Sequence, residues 1–116
     1  MKSAAELVAE AKAGGSCLDA EQTAAQLKNS DVLLLDIREP AECANGMIDG
    51  AVNLPRGLLE FRIAEVCEDK EKEILIHCAG GGRAALASDS LKSMGYTNVH
   101  IVDAMFPDLF AACSAS

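Results

Sequence analysis

One cysteine stands at the end of an apolar run and directly before a glycine-rich segment. Cys78 follows the run Ile74–His77, and after it come Ala79, Gly80, Gly81, Gly82, Arg83 and Ala84. This pattern predicts a strand that delivers the thiol to the N-terminus of a helix opened by Arg83. Unpaired backbone N–H groups and the helix dipole favour an anion there, and such settings lower thiol pKa values from about 8.5. The segment therefore predicts an enzyme built around one thiolate at Cys78.

The residues after the cysteine are of types that bind anions. Three successive glycines can turn their N–H groups toward one point, which makes a nest for an oxyanion or for the outer sulfur of a persulfide. We expect the amides from Ala79 to Ala84 to bind that group and Arg83 to anchor an anion. The alternatives are a small buried cysteine and a flexible glycine turn. The arginine after the glycines favours the functional interpretation, and the Lys-Ser/Thr ending of a phosphate-binding P-loop is missing.

A carboxylate interrupts another apolar run. Asp36 lies within Val32–Ile37, and a buried carboxylate needs a partner. We expect it to pair with Arg38 or to hold loop amides, in a supporting role rather than in the chemistry. His77 precedes the cysteine, so its side chain should leave the strand on the opposite face as a core or surface histidine. The remaining cysteines are expected to be exposed bystanders (Cys17 and Cys113) and helical packing residues (Cys43 and Cys67).

Composition limits the class of protein. The chain has 116 residues, half of them hydrophobic and 3% aromatic, which fits one domain with an aliphatic core. Its net charge of −8 argues against nucleic acid or an anionic membrane as a partner. Five cysteines without a CxxC pair indicate neither a disulfide framework nor a metal site, and no cofactor is indicated. No apolar run approaches the ~20 residues that span a bilayer, so we expect a cytoplasmic protein.

Hydrophobic periodicity predicts strands alternating with helices. This order is typical of a parallel sheet with helices on both faces, in which Asp36 and Cys78 follow strands that end at the same edge. Residues 1–17 are expected to form a helical extension and residues 18–116 the domain. The strands are predicted at 32–37, 51–54, 74–77 and 99–102. A first helix is predicted to end at Gly14, further helices to start after Asp19, at Pro40 and near Leu58, and another to span Arg83–Met94.

Three segments together resemble a known family. Leu35–Glu42 carries Asp-x-Arg-Glu-x-x-Glu, Gly46–Pro55 is close to Gly-His-Ile-x-Gly-Ala-x-Asn-Ile-Pro, and Cys78–Ala84 is the cysteine loop. They resemble the rhodanese-like domain family of sulfurtransferases over roughly residues 18–109. The resemblance implies a five-stranded parallel sheet flanked by helices on both faces. It also implies that Cys78 takes the outer sulfur of thiosulfate or another donor as a persulfide, which cyanide, a thiol or a protein then accepts.

Loop length and several departures refine this expectation. Cys78 to Arg83 is six residues, the length found in sulfurtransferases, whereas the related phosphatase and arsenate-reductase branch uses a longer loop. With one cation in the loop, we expect weak thiosulfate affinity and a protein or low-molecular-weight persulfide as the better donor. A non-catalytic rhodanese-like binding or regulatory module and a low-activity phosphatase remain alternatives. The departures are Met47 for histidine, Cys43 for an aromatic, Ala84 for serine, and Asp103–Phe106 for Asp-Gly-Gly-aromatic, which should alter the rim of the site.

Overall fold

The computed structural model describes residues 1–29 and 31–115, so Ser30 and the last residue of the predicted domain, Ser116, lie outside it. Within these ranges, five parallel strands form one sheet in the order β1-β5-β4-β2-β3. The strands are β1 (Ser16–Leu18), β2 (Leu33–Asp36), β3 (Val52–Asn53), β4 (Ile74–His77) and β5 (Val99–Val102). The helices are α1 (Ala4–Ala13), α2 (Ala20–Gln26), α3 (Pro40–Cys43), α4 (Leu59–Val66), α5 (Gly82–Ser93) and α6 (Phe106–Ser114), with a 3₁₀ turn over Arg56–Leu58.

Both faces of the sheet are covered, which explains the continuous apolar runs of its central strands. Successive residues of a strand point to opposite faces. Leu35, Ile76 and Ile101 pack with α1, α4 and α5 on one face. Leu34 and Leu75 pack with Leu109 of α6 and the end of α2 on the other. The predicted fold, a five-stranded parallel sheet with helices on both faces, is therefore confirmed.

The register of the sheet brings the two predicted site segments together. Asp36 at the end of β2 is paired with His77 at the end of β4. The N–H of Ile37 donates to the carbonyl of His77 at 3.1 Å, which continues the pairing past both strands. The chain after β2 and the cysteine loop after β4 therefore leave the sheet side by side.

Two elements escaped the prediction from sequence. Strand β1 has three residues, of which Ser16 and Cys17 are exposed, so it carries no apolar alternation. Its pairing with β5 means that the boundary predicted after residue 17 falls inside a strand. The sequence does contain a signal for helix α6, namely Pro107, which lies in the first turn of the helix. In the structure Leu109 buries the inner face of this helix. In the described part of the chain, no helix has the length and apolar character needed to cross a membrane.

Candidate active site

Cys78 lies at the point where β4 ends and the loop toward α5 begins. Its side chain is buried, with 2% of the residue exposed. Among the residues that the structure describes, two backbone N–H groups reach its Sγ, from Gly81 at 3.1 Å and from Ala84 at 3.4 Å. Both belong to the open N-terminal end of α5, where N–H groups lack partners within the helix. N–H donors stabilise negative charge on the atom they face, so the loop offers this sulfur an anion-binding position.

The three glycines of the loop meet different constraints. Gly81 has a φ of 97°, which side chains other than that of glycine rarely tolerate, and a Cβ there would lie 3.2 Å from Asp103 Oδ1. A Cβ on Gly80 would lie 3.4 Å from Met105 Sδ. A Cβ on Gly82 would meet Val8 Cγ2 at an ordinary 3.8 Å. Gly81 is therefore the position at which the loop path requires glycine.

The segment after β5 forms the rim of the cysteine loop. The N–H of Phe106 donates to the carbonyl of Ala79 at 2.9 Å, which ties the start of α6 to the residue after Cys78. Met105 stands beside Gly80 and is 59% exposed. Residues 103–106, which depart from the pattern that the sequence otherwise resembles, thus border the loop directly.

Arg83 does not project freely into the loop. Its Nη1 and Nη2 contact Oε1 and Oε2 of Glu42 at 2.7 and 3.0 Å. The hydrogen bond from Arg83, followed by that from the Glu39 backbone, lowers the pKa of Glu42 to about 2. The same hydrogen bond raises the pKa of Arg83. In the sequence Glu42 stands out only as the last residue of a motif, and its separation of 41 residues from Arg83 hides the pair from local patterns.

Asp36 and Arg38 form a buried ion pair below the loop. Arg38 Nε donates to Asp36 Oδ1 at 3.0 Å and its Nη2 donates to Oδ2 at 2.9 Å. Burial raises the pKa of the Asp36 carboxyl. The hydrogen bonds from Arg38 and the charges of His77 and Arg38 together lower it by a larger amount, so the net shift of the pKa is downward. The Nδ2 of Asn53 donates to the carbonyls of both residues. The pair therefore fixes the turn after β2.

His77 leaves the sheet on the face opposite to Cys78. It is 1% exposed, and its Nε2 lies 3.6 Å from Asp36 Oδ2, beyond hydrogen-bond range. Its ring stacks on Phe106 with centroids 5.8 Å apart and planes at 25°. On that ring also lies the Arg38 guanidinium, 3.9 Å from the centroid. Burial lowers the pKa of His77, against the charge of Asp36, so the histidine is part of the core below the loop.

A sequence model of one family covers most of the chain. The model of the rhodanese-like domain matches residues 19–109, which include the cysteine loop, Glu42 and the Asp36–Arg38 pair. The chain belongs to the rhodanese-like domain family.

The relatives of this rhodanese-like domain include sulfurtransferases. A sulfurtransferase from Allochromatium vinosum is 40% identical over 83 residues, covering 71% of this chain and 76% of that protein. A tRNA uridine(34) hydroxylase from Photorhabdus laumondii is 33% identical over 93 residues, but this match covers only 26% of the hydroxylase. The chain thus spans about a quarter of that relative. The first of these relatives supports an enzyme of the sulfurtransferase type.

A solved structure from Rhodopseudomonas palustris is similar along almost the whole rhodanese-like domain. That protein is described as of unknown function and as a possible tyrosine phosphatase. It superposes with a TM-score of 0.88 at 30% identity, and the match covers 97% of this chain and 92% of that one.

The other cysteines of the rhodanese-like domain lie in four different settings. Cys17 is exposed on β1 and Cys67 is buried at the end of α4, as expected. Cys43 corrects the expectation of a packing residue, because it is only partly buried and its Sγ donates to Asp36 Oδ2 at 3.6 Å. Cys113 corrects the expectation of an exposed one, since it is partly buried on a cavity of about 240 Å³ between α2 and α6. Burial raises the pKa of all four thiols.

Proposed function

We propose that the chain is a sulfurtransferase that carries sulfane sulfur as a persulfide on Cys78. The Cys78 thiolate attacks the outer sulfur of the donor and a new S–S bond forms. The donor's own S–S bond breaks, and its electron pair leaves with sulfite when the donor is thiosulfate, or with a thiolate when the donor is a persulfide. An acceptor thiolate or cyanide then attacks the outer sulfur, and Cys78 leaves as a thiolate. The observation that carries the proposal is the pair of N–H groups, from Gly81 and Ala84, aimed at Sγ.

The loop has a second task once the persulfide forms. Negative charge then moves from Sγ to the outer sulfur, one bond further into the loop. We assign the N–H groups of Ala79, Gly80 and Gly82 to that sulfur, since those of Gly81 and Ala84 already face Sγ. The burial of Cys78 would shield the intermediate from water and from unrelated thiols. Asp36 and Arg38 support the turn beside the loop and take no part in bond making.

The charge balance at the loop favours a persulfide donor over thiosulfate. Arg83 is the cation of the loop, and Glu42 already matches its charge. A doubly charged donor must compete with that carboxylate, in a chain whose net charge is −8. A low-molecular-weight or protein persulfide brings less charge to the site. The proposal therefore includes such a donor, a thiol or cyanide as acceptor, and the cytoplasmic location expected from the sequence.

The mass of the intact protein tests the covalent intermediate. After incubation with a persulfide donor or thiosulfate and removal of excess reagent, we expect one added sulfur of ~32 Da, because the intermediate is covalent. Cys78→Ser should abolish this addition, whereas Cys17→Ser, which alters an exposed cysteine, should retain it. No added mass with either donor would contradict the proposal and favour a binding module. Cys78-dependent hydrolysis of an aryl phosphate would instead favour a phosphatase.

A further inference from the structure

Helix α1 lies against the loop that holds Cys78. Val8 Cγ2 is 3.8 Å from the position that a Cβ on Gly82 would take. Lys12, near the end of the helix, places its Nζ 2.9 Å from Asp103 Oδ1. The Nζ of Lys92 on α5 donates to the carbonyl of Gly14 at 2.6 Å, which holds the end of α1 in place. The family match begins at residue 19, so these contacts come from a part of the chain outside the matched range.

The partner of Lys12 is next to the amide that binds the cysteine sulfur. Asp103 Oδ1 lies 3.2 Å from the position of a Cβ on Gly81. The N–H of that glycine donates to Cys78 Sγ at 3.1 Å. A carboxylate beside the loop that holds an anionic sulfur disfavours the anion, and a cation beside the carboxylate offsets that effect.

The other charges around the loop compensate one another. Arg83 and Glu42 form a bidentate pair, and the charge of Asp36 is matched by Arg38. The Asp103 carboxylate is left with Lys12 as its partner. The charged and titratable groups on the surrounding elements include Arg83 on α5, Glu42 and Glu39 on and before α3, Asp103 after β5, Lys12 on α1 and His77 on β4, with Cys17 on β1 also close to Asp103 and Lys12.

We propose that Lys12 is an electrostatic positioning residue of the sulfur-transfer site, and that α1 belongs to that site. By pairing with Asp103, Lys12 fixes the carboxylate beside Gly81 and cancels its charge where Cys78 carries an anion. The inference rests on the proposed function, because the compensated charge would stabilise the thiolate, the persulfide and an anionic donor at Cys78. The side chains of Lys12 and Asp103 are 29% and 45% exposed, and such pairs contribute little to folding stability. Their effect should therefore be seen at Cys78 and not in the unfolding temperature.

The directions in which two single variants shift the reactivity of Cys78 distinguish an electrostatic role of the pair from a structural one. Lys12→Met removes a positive charge, and Asp103→Asn removes a negative one. The readout is the pH midpoint of the rate at which iodoacetamide alkylates Cys78, measured at physiological ionic strength and followed by peptide mass spectrometry. We expect Lys12→Met to raise that midpoint by about 0.2–0.5 pH unit, the size expected of one partly solvated charge within about a Debye length. Asp103→Asn should lower it, and the double variant should return close to the wild-type value.

A lysine remote from the cysteine loop provides the control. Lys70→Met removes the same charge beside Tyr96, which follows the C-terminal end of α5, whereas the cysteine loop meets the N-terminal end, about 18 Å away at 1.5 Å per residue over its 12 residues. It should leave the midpoint unchanged, because that distance exceeds the Debye length of ~8 Å at physiological salt. Shifts of Lys12→Met and Asp103→Asn in the same direction, or no shift in either, would overturn the proposal. The alkylation assay needs no sulfur transfer, so a failed persulfide test in the wild type is a separate result.

Discussion

Arg83 and Glu42 face each other through two parallel contacts, Nη1 to Oε1 at 2.7 Å and Nη2 to Oε2 at 3.0 Å. This bidentate form is the strongest arrangement of a guanidinium and a carboxylate. Glu42 is also fixed from its other side, because its Oε1 accepts the N–H of Glu39 at 2.9 Å. The cation of the cysteine loop is therefore engaged before any donor arrives, and Glu42 competes with anionic donors for it.

Removal of the Glu42 charge should change donor preference. We expect Glu42→Gln to lower the KM for thiosulfate several-fold, since it frees a positive charge, and to change the KM for a neutral persulfide donor much less. Steady-state kinetics with both donors measure this. Glu60→Gln is the matched control, because Glu60 pairs with Arg56 at similar exposure on α4. An equal rise in KM for both donors would mean that Glu42 serves to orient Arg83.

The same pair predicts a dependence on acid pH. The hydrogen bond from Arg83, with that from the Glu39 backbone, lowers the pKa of Glu42 from 4.5 to about 2. A lowered folded-state pKa contributes stability that is present above about pH 4.5 and is lost as the pH falls toward 2. We expect the Glu42 carboxyl resonance to titrate near pH 2 and to move toward pH 4.5 in Arg83→Met. A wild-type midpoint near 4.5 would show that the pair does not persist in solution.

Two neighbouring glycines should respond oppositely to alanine. Gly81→Ala places a side chain at a φ of 97° and 3.2 Å from Asp103 Oδ1, so it should destabilise the protein by about 1–2 kcal/mol and slow alkylation of Cys78. Gly82→Ala sits in the first turn of α5 with an ordinary contact to Val8. It should be neutral or stabilise by about 0.5 kcal/mol. Urea denaturation of both variants measures the difference, and equal losses would contradict the loop geometry.

Local patterns in the sequence were sufficient for most of the fold. The strand predicted at 99–102 has those bounds in the structure. The capping box of Asp19 and Gln22 opens α2, with bonds of 2.8 and 2.9 Å. Both signals arise within a few residues of the chain. Strand β1 gave none, since its three residues gain their place only by pairing with β5, and such a long-range pairing leaves no local periodicity.

In the candidate site, too, local contacts could be predicted from the sequence and long-range contacts could not. The loop amides that face Cys78 come from the six residues that follow it, so a strand, a cysteine and a glycine-rich turn were enough to expect them. Glu42 reaches Arg83 over 41 residues, and Lys12 reaches Asp103 over 91. Contacts of this kind depend on how helices pack on the sheet, and no spacing in the sequence encodes them. The charge balance of the site was therefore the part that only the structure supplied.

Phe106 is the residue on which the support of the loop should depend most. Its ring contacts both the Arg38 guanidinium and the His77 imidazole, while its N–H holds the carbonyl of Ala79. Phe106→Leu keeps an apolar side chain but removes both ring contacts. Cation–π and aromatic pairs each contribute about 0.5–2 kcal/mol, so we expect a loss of about 2 kcal/mol in the free energy of unfolding by urea. The formation rate of the Cys78 persulfide should fall as well, because the ring contacts that hold the residue 106 N–H against the carbonyl of Ala79 are lost.

The neighbouring ring provides the control for Phe106. Phe110 lies one helical turn away, is 43% exposed and contacts the Phe106 ring at 5.8 Å. Phe110→Leu should therefore cost less than about 1 kcal/mol and leave persulfide formation unchanged. Phe106→Tyr, which keeps the ring, should leave the free energy of unfolding and the rate of persulfide formation close to the wild-type values. If Phe106→Leu and Phe110→Leu lowered stability equally and neither slowed persulfide formation, the contacts of the Phe106 ring with Arg38 and His77 would be packing alone, and the loop would depend on its own amides.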